Sequence, residues 1–146
     1  MDEQAIIEKL RRIEALFAGT KTEGESAAAA SALDRMRSRL QSAEAIDPPK
    51  EYRFSTQSEW SRRLLVALLR RYNIRPYRYH GQRYTTVMAK VSRRFVDETL
   101  WPEFCELDKT LTTYLEEVTN RVIREAVHGD VADAEEREQP QLPGAT

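Results

Sequence analysis

Residues 75–91 read RPYRYHGQRYTTVMAKV, arginines and tyrosines interleaved along two extended arms. Tyr77 and Tyr79 share one side of an extended arm, Arg78 and His80 the other, and a β-branched second arm runs on to Val91. Period-two alternation marks a half-buried strand. Gly81 tolerates the positive φ of a tight turn, so the spacing predicts a β-hairpin turning at residues 80–82. Apolar β-formers alone would fold such a hairpin, so its arginines ask for a further reason. A positive surface carrying π-faces is what a nucleic-acid backbone and its bases favour.

Working outward, Tyr52 and Phe54 alternate with polar neighbours in a brief strand over 51–55. Thr56-Gln57-Ser58-Glu59 has the capping-box form. Trp60, Leu64, Ala67, Leu68 and Tyr72 then recur on one helical face, Glu59 and Arg63 form an i,i+4 pair, and Asn73 is the stop. On the other side, Ser92 caps a short helix reaching about Leu100. Trp101-Pro102 interrupts it, because the residue before proline is pushed away from helical geometry. Pro102 suits the first position of a new helix, which carries Phe104, Leu107, Leu111, Tyr114, Val118 and Val122 at near-heptad spacing through 127. Residues 129–146 are polar and acidic without an apolar period and read as a disordered tail.

At the other end, Ile6, Leu10, Ile13 and Phe17 form the stripe of an amphipathic helix, widened by Ile7 and Leu16. Gly19 ends it, Thr22 to Glu25 is another capping box, and a second helix runs to about Ser42 with Ala29, Leu33, Met36 and Leu40 on one face. Its run Ala27–Ala30 allows close approach to a partner helix. An antiparallel helical pair of this size buries little surface and must lean on the rest of the chain or on another chain. Asp47-Pro48-Pro49 is a breaker and linker. The expected organisation is a helical hairpin at 1–46, a small α+β domain at 47–128 and a disordered acidic tail at 129–146. The fold class is α+β: the helical hairpin, then β-α-β-β-α with a small antiparallel sheet and a long C-terminal helix.

Within residues 7–40, the segments EKLRRIEALFAG and EGESAAAASALDRMRSRL resemble an uncharacterised bacterial and phage family, the domain of unknown function 2786. The shared features are the charged Ile/Leu first helix, Glu23 and Glu25 ahead of the second helix, and its alanine-rich course with Leu33 and Met36. The resemblance implies a bacterial or phage origin and a further α+β segment downstream. It lends no activity and no catalytic residue.

Composition narrows the function. With 40% hydrophobic and 32% charged residues, the chain can hold a core under a heavily solvated surface. It contains no apolar run of about 18 residues that would cross a membrane. Its acidic, amphipathic start is unlike a signal peptide. Cys105 is the single cysteine, which excludes an internal disulfide and a multi-cysteine metal site; beside Phe104 and Leu107 it reads as a buried structural thiol. A cytoplasmic protein is the simple expectation. There is no phosphate-binding glycine loop, no Gly-x-Ser-x-Gly, no Cys/His zinc pattern and no paired carboxylates at ligand spacing. Neither metal nor cofactor is expected.

The net charge of −1 conceals a segregation. Residues 51–100 carry 11 Lys/Arg against 4 Asp/Glu, and residues 101–146 carry 4 against 11. Charges beyond a Debye length of roughly 8–10 Å are screened, so a polyanion meets the basic block and not the average. All but Lys90 in that block are arginines, suited to bidentate phosphate contact and stacking.

Three readings follow. In the first, the chain binds RNA or DNA without catalysing a reaction. Arg75, Arg78, Arg83 and Lys90 contact phosphates, Tyr77, Tyr79 and Tyr84 stack on bases, Arg62 and Arg63 extend the surface, and Arg93 and Arg94 offer guanidinium groups at a helix start. Against it, the tyrosines can pack on the helix, Asp97 and Glu98 can offset Arg93 and Arg94, and acidic side chains such as Glu103, Glu106, Glu116 and Glu117 can neutralise the basic block. In the second, Leu33, Met36, Leu40, Leu107, Leu111 and Val118 contact a protein partner or an identical chain. In the third, His80 acts as general acid/base of a small ribonuclease, against the plainer role of a solvated turn residue.

Overall fold

The computed structural model describes residues 2–18 and 26–140. The Gly19 stop and the Thr22–Glu25 cap lie outside them, and so do the side chains of the Ala27–Ala30 run. The elements are α1 (Glu3–Ala18), α2 (Ser26–Ile46), β1 (Lys50–Ser55), α3 (Glu59–Arg71), β2 (Thr86–Val91) and a long helix, α4, spanning 93–127. The fold is α+β, four helices about a two-stranded antiparallel sheet.

β1 and β2 pair in the register Lys50↔Val91 through Ser55↔Thr86. In β2 Thr86 and Met88 are buried as well as Val87, Ala89 and Val91, leaving only Lys90 exposed, so this strand is covered on both sides and does not alternate. Phe54, Val87, Ala89 and Val91 are the sheet residues that enter the core. They join Ile13, Met36, Leu40, Leu65, Leu69, Tyr72, Phe95, Leu100, Phe104 and Leu107 in one core. The N-terminal helices thus lean on the rest of this chain. α1 makes its most extensive contact along α4 and not with α2. Glu14 lies beside the Arg71–Glu103 pair, and Phe17 beside Phe95, so the two helices run antiparallel.

Three local expectations are corrected by tertiary contacts. The 75–80 arm is not a full strand: only Tyr77 bridges Met88, with N–H donations of 2.9 and 2.8 Å. The cap of α3 is Ser58, whose Oγ accepts from Ser61 N at 3.2 Å; Thr56 Oγ1 instead donates to Thr85 O at 2.6 Å and ties the loop to β2. The Trp101-Pro102 break does not occur. α4 runs through it by opening one wider, π-helical turn at Val96–Leu100, which accommodates a proline that lacks an N–H. Trp101 keeps helical angles there, with its ring stacked on Phe54 at 5.5 Å and tilted against Phe104 at 5.1 Å.

Asn73 does stop α3, at φ 61°, and Gly81 does turn the following loop, at φ 84°. Residues 128–140 carry no helix or strand and are exposed.

The start of α4 is capped from a distance. Asp47, just after α2, accepts from Arg94 N at 3.0 Å and from Ser92 Oγ at 3.2 Å. The Arg94 donation holds the Asp47 carboxyl below its usual range. A depressed carboxyl contributes stability that is present above the ordinary Asp value of 3.8 and lost as pH falls through the folded value. Asp47→Ala is therefore expected to melt a few degrees below the parent at neutral pH. Thermal melts in strong acid should show the gap closing; a gap unchanged by acid would rule out this cap as a source of stability.

Candidate nucleic-acid interface

The segment joining α3 to β2 carries most of the basic and aromatic residues singled out above, and it is well tied. Tyr79 N donates to Gln82 Oε1 at 2.9 Å across the Gly81 turn, and Gln82 Nε2 reaches Met88 Sδ at 3.5 Å. The Tyr77 hydroxyl donates to Glu51 Oε2 at 2.5 Å, and the Tyr79 hydroxyl donates to the same oxygen. The two rings meet edge to face, 5.7 Å apart. Two hydroxyl donors pull the Glu51 carboxyl below its usual range, and the hydrogen bonds they give to it raise both phenols. Tyr79 nevertheless leaves 51% of its surface to solvent.

Tyr84 is 54% exposed and has two arginines against it. The Arg62 guanidinium stands 4.1 Å from the ring centroid and that of Arg78 5.0 Å. Arg62 Nη2 also donates to the Tyr84 hydroxyl at 2.6 Å, and Arg78 Nη1 to its carbonyl at 3.1 Å. Such contacts are worth about 0.5–1 kcal/mol at exposed sites, enough to hold in place a ring that remains half exposed.

Direct ion pairs from this surface to the acidic end of the chain are confined, among the described residues, to Arg71. Among the described residues, Arg53, Arg62, Arg70, Arg75, Arg78, Arg83 and Lys90 have no carboxylate within 4 Å. Arg71 is the arginine that does reach α4, onto buried Glu103, with Glu14 at 3.2 Å. Arg63 pairs with Glu59 at 2.9 Å and lies over Trp60.

Other candidates are placed differently. Arg93 and Arg94 pair with Asp97 and Glu98 at 3.6 and 3.1 Å, and the nearby amides already serve Asp47, so that helix start offers an anion little. His80 sits exposed in the turn, and its side chain makes no hydrogen bond among the described residues. Met36, Leu40 and Leu107 are packed in this chain's own core, and Leu33 lies against it. Leu111 and Val118 are half-buried. Cys105 is exposed, not buried: Phe104 and Leu107 face the core and Cys105 is one step off that face. Partial desolvation and the nearby Asp108 and Glu106 raise its thiol.

The expected apolar face of α3 is corrected: Trp60, at 52% exposure, and Ala67 face solvent, because α3 turns Ser61, Leu65, Leu68, Leu69 and Tyr72 inward, and Ser61 Oγ donates to Asp108 at 2.5 Å. One contributor escaped the sequence reading: Arg53, opposite Met88 on the outer sheet face, was legible only as a polar strand position. Among the described residues no grouping of three or more His, Cys, Asp or Glu could hold a metal ion, and no helix is long and apolar enough to cross a membrane. No family model, curated protein or solved structure matches this chain, so no residue role comes to it from a relative.

Proposed function

We propose that this chain binds single-stranded or looped nucleic acid through the 75–84 segment and the adjoining face of α3, without cleaving it. The observation that carries the reading is Tyr84: a half-exposed ring held against two guanidinium groups, with Arg83 and Arg75 close in sequence and free of carboxylates. Stacking needs a ring with an open face, and backbone contact needs cations not already paired. Unpaired bases satisfy both more readily than a duplex, whose bases present only their edges.

Anisotropy titrations of labelled single-stranded RNA, single-stranded DNA and duplex DNA at two salt concentrations test this. Salt-sensitive binding with single strands tightest is expected. Tyr84→Ala should weaken it by about 1–3 kcal/mol, the usual worth of one base–aromatic stack. Absence of binding even at low salt would end the proposal.

A further inference from the structure

We propose that a groove between α2 and residues 73–79 seats one nucleotide of the bound strand and prefers guanine; this rests on the nucleic-acid reading above and gives it a base-selective subsite. The groove measures about 490 Å³, within the range of small-molecule sites. Leu40 and Ile74, both buried, form its apolar floor, and Tyr77 and Tyr79 stand along it. Their shared bond to Glu51 fixes the rings before any ligand arrives, so stacking a base on Tyr79 loses little side-chain freedom.

Arg75 and Lys90 line the same groove, exposed and with no carboxylate within 4 Å among the described residues. Lys90 lies across the sheet from Glu51, whose Oε2 accepts from the two phenols, and stands near enough to favour that carboxylate's charge without an ion pair within 4 Å. The two cations are available to a phosphate.

Glu44 of α2 is the carboxylate lining the groove, and it has no hydrogen-bond or ion-pair partner among the described residues. An ionised carboxylate only accepts, and two parallel N–H donors suit it best. Guanine presents such a pair, N1–H and N2–H, on its Watson–Crick edge; adenine, cytosine and uracil do not. That edge is free only in an unpaired strand, which agrees with the single-strand preference.

Calorimetric titration of the full chain with GMP, AMP, CMP, UMP and inorganic phosphate tests the assignment. GMP is expected to bind at least about tenfold more tightly than the other four, as a bidentate base contact implies. Glu44→Gln should bring GMP to the level of AMP and leave AMP unchanged, while Arg75→Ala with Lys90→Ala should weaken every nucleotide. These side chains lie at the surface, and unchanged melting curves would verify that the variants fold. GMP no tighter than AMP, a GMP preference that survives Glu44→Gln, or no GMP binding at millimolar concentration would each overturn the groove assignment. If single strands still bind in those cases, the basic-face reading stands; if they also fail at low salt, both readings fall.

Discussion

Glu103→Ala is expected to lower the melting temperature by about 10 °C, the largest stability effect of any single substitution proposed for this chain. Glu103 is completely buried on α4, where it receives a guanidinium N–H from Arg71 and the hydroxyl of Tyr72. Arg71 also reaches Glu14 of α1, and its carbonyl accepts from Arg37 of α2 at 2.9 and 2.6 Å. One cluster therefore joins all four helices. Burial disfavours the Glu103 charge and raises its carboxyl, while Arg71 and Tyr72 oppose that shift. Breaking such a pair leaves a buried charge behind and costs about 3–5 kcal/mol. Glu14 still compensates Arg71 in part, so the lower end applies, about 3 kcal/mol at roughly 3 °C per kcal/mol for a chain of this size. Glu103→Gln keeps an acceptor for Tyr72 and should lose less. Thermal melts followed by circular dichroism check both, and a drop in Glu103→Ala below a couple of degrees would show the cluster to be dispensable.

The largest functional effect is expected from replacing Arg75, Arg78 and Arg83 together with alanine. Each exposed phosphate contact is worth up to about 1 kcal/mol, so affinity for a single strand should fall about a hundredfold at low salt. The slope of log affinity against log salt should flatten by about 2, since single strands release about 0.7 counterions per contact. Arg93→Ala with Arg94→Ala is the matched comparison. Those two arginines are already paired with Asp97 and Glu98, so their removal should leave the slope nearly unchanged. Equal losses in the two variants would mean that bulk charge, and not this segment, governs binding. None of the first three arginines holds an ion pair in the fold, but Arg78 bonds the Tyr84 carbonyl and lies against its ring, so stability should fall by about 1 kcal/mol, nearly all of it from Arg78.

Much of this architecture is written in short-range pattern. The alternation at 51–55, the α1 stripe at Ile6, Leu10, Ile13 and Phe17, the Glu59–Arg63 pair, the Asn73 stop and the Gly81 turn all depend on residues within a few positions of one another. The crowding of arginine into 51–100 is equally legible, because it is a property of composition. None of these needs a distant partner to be recognised.

What the tertiary structure decided is which of two nearly equal local options prevails. α3 points Ser61 inward and Trp60 outward because Asp108, 47 residues away in sequence, accepts the serine hydroxyl. α4 continues through Pro102, where the Phe54 ring of β1 stacks on Trp101. Asp47 takes the place an anion would have at the start of α4, and the fold brings Glu44 beside Arg75, Lys90 and the tyrosines. The sequence by itself determined the α+β class and the basic, tyrosine-rich segment, since periodicity and charge are local. The usable surface was decided by contacts between elements far apart in the chain, where a hydrogen bond or a stacked ring outweighs a local preference of similar size.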